Sequence, residues 1–109
     1  MTEKAPFACN RNAMTKEERV RYELLRGKFE KAVCAVAELA NGYSFRLLSG
    51  ALSLEDIAEW VEYEKKCCPF FGLGVETGLE ECPIAVRITG REGVKAFIRA
   101  EFVEVTFGS

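Results

Sequence analysis

Histidine is absent from the 109-residue chain. That one absence excludes Ser-His-Asp and Cys-His catalysis. It also excludes imidazole as a metal ligand, so a transition-metal site here must use thiolates, carboxylates or backbone groups. No segment approaches the roughly 18 apolar residues that a membrane span needs. The first ten residues, Met1-Thr-Glu-Lys-Ala-Pro-Phe-Ala-Cys-Asn10, hold no apolar stretch of signal-peptide length. Neither sign of charge dominates: 15 basic residues stand against 17 acidic ones. Broad electrostatic attraction to nucleic acid or anionic lipid is therefore not expected. These absences favour a cytoplasmic protein with no nucleic-acid and no membrane partner.

Hydrophobic residues make up 49% of the chain and charged residues 29%, the mix of a globular protein. A chain of this size makes one domain and buries roughly 65% of its unfolded surface, enough for a core without staples. Cysteines stand at positions 9, 34, 67, 68 and 82. An odd count with no export signal predicts reduced thiols.

The pattern along the chain predicts an irregular arm over 1–14, an α+β domain over 15–102 and a tail over 103–109. Thr15-Lys-Glu-Glu18 is a capping box and opens a helix carrying Tyr22, Leu25 and Phe29, ending near Glu30. Asn41-Gly42 between two apolar runs predicts a hairpin of 32–39 with 43–48, with both turn residues accepting positive φ. Ser53 with Asp56 opens a second helix, which Pro69 ends. Leu73, Val75 and Thr77 alternate, as do Ile84, Val86 and Ile88, predicting a second hairpin. Thr89-Gly-Arg-Glu92 is a third capping box, before a helix with Val94, Phe97, Ile98 and Phe102 on one face. The fold predicted is α+β: an N-terminal helix followed by two hairpin-helix units, a four-stranded antiparallel sheet with helices on one face. The tail alternates over 103–107 and could add an edge strand or a dimer contact.

The chemistry concentrates in Glu64-Lys-Lys-Cys67-Cys68-Pro-Phe-Phe71. At 100° per residue, Leu54, Ile57, Val61 and Cys68 share one face, Glu64 falls within that stripe, and Trp60 and Cys67 flank it. A carboxylate on a core-facing stripe is costly unless paired or neutral. Glu64 therefore bonds a backbone amide or an arginine such as Arg19 or Arg26, or it serves as a ligand or base. The thiols sit at a helix C-terminus, where the dipole disfavours thiolate and Lys65 and Lys66 oppose it. A disulfide between adjacent Cys67 and Cys68 is strained, since their Cα atoms are about 3.8 Å apart. A soft cation suits the pair better, with Cys9 in the arm as the natural third ligand. Cys34 reads as core and Cys82 as incidental. Trp60, Phe70 and Phe71 read as core. The 89–93 turn reads as a plain helix start rather than an anion site.

Glu64-x-x-Cys67-Cys68-Pro69-Phe70, then Arg87-Ile88-Thr89-Gly90 and Glu92-Gly93-Val94-Lys95-x-Phe97, resembles a family of small uncharacterised bacterial proteins. Ala8-Cys9 and Gly42-Tyr43 fit the same pattern, and the resemblance covers about residues 7–102. It implies an architecture and a site at Cys9, Glu64, Cys67 and Cys68, not a reaction. The chain departs from the pattern in the turn at 79–82, where glycines are usual, and beyond 102.

Three readings follow. The first is soft metal or metalloid binding, zinc or another thiophilic ion, through Cys9, Cys67 and Cys68, with Glu64 as fourth ligand or just behind the ligands. The second is a thiol redox protein using Cys67 and Cys68. The third is a non-catalytic homodimerisation or partner-binding module whose cysteines only pack. Two of the three are not enzymes.

Overall fold

Both capping boxes expected for the first two helices form in the computed structural model, which describes residues 9–78 and 83–104. Thr15 accepts from the Glu18 amide at 3.1 Å and Glu18 accepts from the Thr15 amide at 2.9 Å. Helix α1 then runs Lys16–Ala32. It passes the expected end at Glu30 because Ala32 still packs in the core, and Lys and Ala carry little helical penalty. Ser53 and Asp56 cap each other likewise at the start of α2, Leu54–Cys67. Such a cap contributes about 1 kcal/mol.

Strand β1 (Val33–Leu39) follows α1 directly and pairs antiparallel with β2 (Gly42–Leu47). β3 (Gly72–Glu76) pairs with β4 (Ile84–Thr89), and β4 with β2, giving the order β1-β2-β4-β3. The four-stranded antiparallel sheet read from the sequence is therefore present. Tyr43, Phe45, Leu47, Val86 and Ile88 are buried on one face, and Arg87 is exposed on the other. The helices cover the buried face: Phe29 of α1 meets Phe45 edge-on, stacks on Trp60 of α2 at 5.0 Å, and abuts Phe102. Aromatic pairs like these add about 0.5–1.5 kcal/mol each beyond burial.

Two turns differ from expectation. Leu39 pairs with Gly42, so Ala40 and Asn41 form the first hairpin turn. Gly42 has ordinary φ and lies in the strand. Glycine is needed there for space: a Cβ would sit 2.1 Å from the Ile88 carbonyl oxygen on β4. The third capping box does not form. Thr89 stays paired in β4, and its hydroxyl donates to the Gly72 carbonyl at 3.4 Å. Gly93, with φ of 93°, starts α3 (Val94–Ile98) instead, because only glycine takes that conformation freely. A π-helical turn, Arg99–Val103, continues α3 and buries Phe102. The tail over 103–107, read as an edge strand or contact, is corrected at its start: Val103 closes the π-helical turn and Glu104 is helical. Residues 105–107 lie outside the described residues.

On α2 the buried face is Ile57, Trp60, Glu64 and Cys67, while Leu54 is 54% exposed. The face turns away from Leu54 and Val61 because the large Trp60 ring claims the core position against Phe29. Helices α1 and α2 run antiparallel. Arg21 reaches Asp56 and Glu59, Tyr22 reaches Glu64, and Lys66 reaches Glu18.

Candidate metal centre

The end of α2 and the arm meet at three sulfurs. Cys67 is the last residue of the helix and Cys68 its C-cap, whose amide donates to the Glu64 carbonyl at 2.6 Å. Pro69 prevents a further turn. A short 3-10 turn, Arg11–Ala13, brings the arm alongside. The Asn10 amide donates to the Cys67 carbonyl at 2.8 Å, and Arg19 of α1 donates to the Met14 carbonyl at 3.0 Å. Met14 itself is buried. These bonds set Cys9 against the helix end. The Sγ atoms of Cys9, Cys67 and Cys68 all lie within 4.8 Å of one another. Cys67 and Cys68 are fully buried and Cys9 is half-buried.

The expectation of reduced thiols is corrected: of the four described cysteines, Cys9, Cys34 and Cys68 are disulfide-bonded and Cys67 is free. Cys9 and Cys68 form a disulfide, with Cα atoms 4.9 Å apart, and Cys67 keeps a free thiol 3.8 Å from the Cys68 sulfur. The strained bond between neighbours 67 and 68 is avoided because the arm offers a partner at unstrained Cα spacing. Cys34 is also corrected: it lies exposed on edge strand β1 and is disulfide-bonded, not core. The alanine-rich run that suggested burial belongs to the outermost strand of the sheet. Cys82 lies outside the described residues.

Glu64 points inward as expected and is completely buried. Its partner is neither a backbone amide nor Arg19. The Tyr22 hydroxyl donates to Glu64 Oε2 at 2.7 Å, and Arg26 donates to the Tyr22 oxygen at 3.0 Å. Arg26 thus supports Glu64 through Tyr22. Its guanidinium also lies 4.1 Å from the Phe102 ring centroid and donates to the Glu101 carbonyl. Burial raises the Glu64 carboxyl above its ordinary value, against the opposing pull of Tyr22, Arg26 and Arg11. The Trp60 indole stands near enough to oppose the rise as well. Even so, Trp60 Nε1 and Glu64 Oε1 have no hydrogen-bond partner among the described residues. The same burial, with Glu64, drives Tyr22 strongly upward.

The cation at the thiols is Arg11, not Lys65 or Lys66. Lys65 pairs with Glu62 and Lys66 with Glu18. Arg11 lies over the Tyr22 ring at 4.8 Å, pairs with Glu23, and pulls the Cys67 thiol downward. Burial and then Glu64 outweigh it, so Cys67 stays above the ordinary thiol value. Tyr22 and Arg11 were not singled out from the sequence. Tyr22 sits at core spacing on α1 and carries no motif. Arg11, two residues beyond Cys9, would have been found by asking which charges the arm brings along with its thiol.

No protein-family model, curated protein or solved structure matches the chain. No helix among the described residues is long and apolar enough to cross a membrane.

Proposed function

We propose that the reduced protein binds a soft metal or metalloid ion through the thiolates of Cys9, Cys67 and Cys68. One observation carries the reading: three sulfurs from two separate segments lie within 4.8 Å of one another. Two ligands about 2.3 Å from one zinc ion at the tetrahedral angle stand roughly 3.8 Å apart. The separation of Cys67 and Cys68 is 3.8 Å. Opening the Cys9–Cys68 bond frees both remaining sulfurs, so the disulfide is the oxidised, ion-free form of the same residues. Glu64 supports the site from behind, through Tyr22 and Arg26. The Glu-x-x-Cys-Cys-Pro-Phe resemblance singles out the same residues. Native mass spectrometry of the phosphine-reduced protein, with and without zinc, tests this. A one-to-one adduct that disappears after cysteine alkylation is expected; no adduct with any thiophilic ion contradicts the proposal.

A second reading, a thiol oxidoreductase, has one specific observation in its favour: a free Cys67 thiol 3.8 Å from the sulfur of a disulfide. The elevated Cys67 thiol works against it, since the thiolate is the nucleophile. It requires at least one thiol that reacts with iodoacetamide at neutral pH much faster than free cysteine. Ordinary rates at every thiol remove it.

A further inference from the structure

The charge of the ion–thiolate complex, set against its surroundings, discriminates among soft ions. Three thiolates around a monovalent ion make a dianion. Around zinc or mercury(II) they make a monoanion. Around trivalent arsenic or antimony they make a neutral complex. Two of the three sulfurs are completely buried, and an uncompensated charge there is expensive.

Compensation normally comes from amide N–H groups aimed at the sulfurs or from a nearby cation. The Arg11 side chain and the Asn10 amide both act on the Cys67 sulfur, but the nearby amides have backbone carbonyls as their main partners. Asn10 N–H donates to the Cys67 carbonyl, Cys68 N–H to the Glu64 carbonyl, and Phe71 N–H to the Cys68 carbonyl. Arg11 is the cation at Cys67, and it is paired with Glu23. The other ionisable neighbour, Glu64, adds negative charge whenever it ionises. A fourth donor is missing as well. Among the described residues the donor group contains three sulfurs and no carboxylate oxygen, and Glu64 Oε2 is held by Tyr22. Structural zinc sites are closed by four ligands. A trivalent metalloid fills its fourth position with its own lone pair.

We infer that the three-cysteine site is matched to a trivalent metalloid hydroxide, arsenic(III) or antimony(III), in preference to zinc. The inference rests on the ion-binding reading above and names its substrate class. Loading is a balanced ligand exchange without electron transfer. Arsenous acid, As(OH)3, reacts with three thiols; three As–O bonds break, three As–S bonds form, and each hydroxide leaves as water with a thiol proton. The disulfide must first be opened by a two-electron reductant, for which a phosphine serves in vitro and a cellular dithiol in vivo.

The test is native mass spectrometry of the full chain, reduced with a phosphine and then freed of it. It is given equimolar sodium arsenite and zinc chloride together and each alone. The expected result is one arsenic per chain with three protons lost, undiminished by a tenfold excess of zinc. Zinc displacing arsenic at equimolar concentration overturns the inference but leaves the ion-binding reading intact. An arsenic adduct that loses only two protons and keeps a hydroxide also overturns it, since one of the three thiols then plays no part. Neither ion binding removes the underlying reading itself.

Discussion

Glu64 is the residue that most constrains the site. It is fully buried, one oxygen lacks a partner, and burial holds its carboxyl above the ordinary value. The folded protein therefore binds this proton more tightly than the unfolded chain does. Between the ordinary carboxyl value and the elevated folded one, stability falls as pH rises. Glu64→Gln keeps an acceptor for Tyr22 and removes the charge. Its stability relative to the wild type is expected to improve from pH 4 to pH 8, because only the wild type loses stability as its buried carboxyl ionises. Denaturant melts at the two pH values check this, and a mutant deficit that grows toward pH 8 contradicts it. The inward direction of Glu64 was legible from helical angles alone. Its partner was not, because Tyr22 carries no signal that separates a hydrogen-bonding core tyrosine from a merely packed one.

At the scale of elements, helix starts were legible where a side chain does the capping. Thr15 and Ser53 cap their helices because nothing else competes for their hydroxyls. Thr89 carries the same motif but is held by pairing in β4, a long-range interaction that no local pattern reveals. The hairpin at Asn41-Gly42 was found for a reason that turns out to be wrong. Gly42 is fixed by the approach of β4, not by the turn. Gly42→Ala should therefore cost about 1–3 kcal/mol, the usual penalty of overpacking. Gly50→Ala, at φ of 80° with open space around it, tests backbone strain alone and should cost less. Comparing the two unfolding midpoints decides the point: equal losses contradict steric crowding at Gly42.

At the scale of the whole molecule, a covalent link ties the arm to the end of α2. The Cys9–Cys68 disulfide closes a loop over a sequence separation of 59. In the chain-entropy description such a loop stabilises by about 4 kcal/mol. Cys9→Ser, which removes this bridge and leaves the disulfide at Cys34 in place, should thus lower the melting temperature by about 10 °C or more, since 1 kcal/mol shifts a domain of this size by about 4–8 °C; full reduction, which opens both, should lower it further. An ion that bridges the same three thiols should restore much of the loss, because it again ties the arm to α2. Calorimetry of oxidised, reduced and ion-loaded protein measures all three. A reduced protein that gains no stability on adding arsenite or zinc contradicts the account. This coupling was half legible: the sequence placed Cys9 as the deciding residue, but only the folded arm, held by Asn10 and Met14, reveals that it reaches the helix end.

The most direct test of the central claim is to map which thiols an ion protects. The reduced protein is loaded with one equivalent of arsenite, alkylated with iodoacetamide, and digested for peptide mass spectrometry. Cys9, Cys67 and Cys68 should be protected together and in equal measure, while Cys34 is alkylated. Protection of Cys67 and Cys68 with Cys9 fully alkylated contradicts the claim.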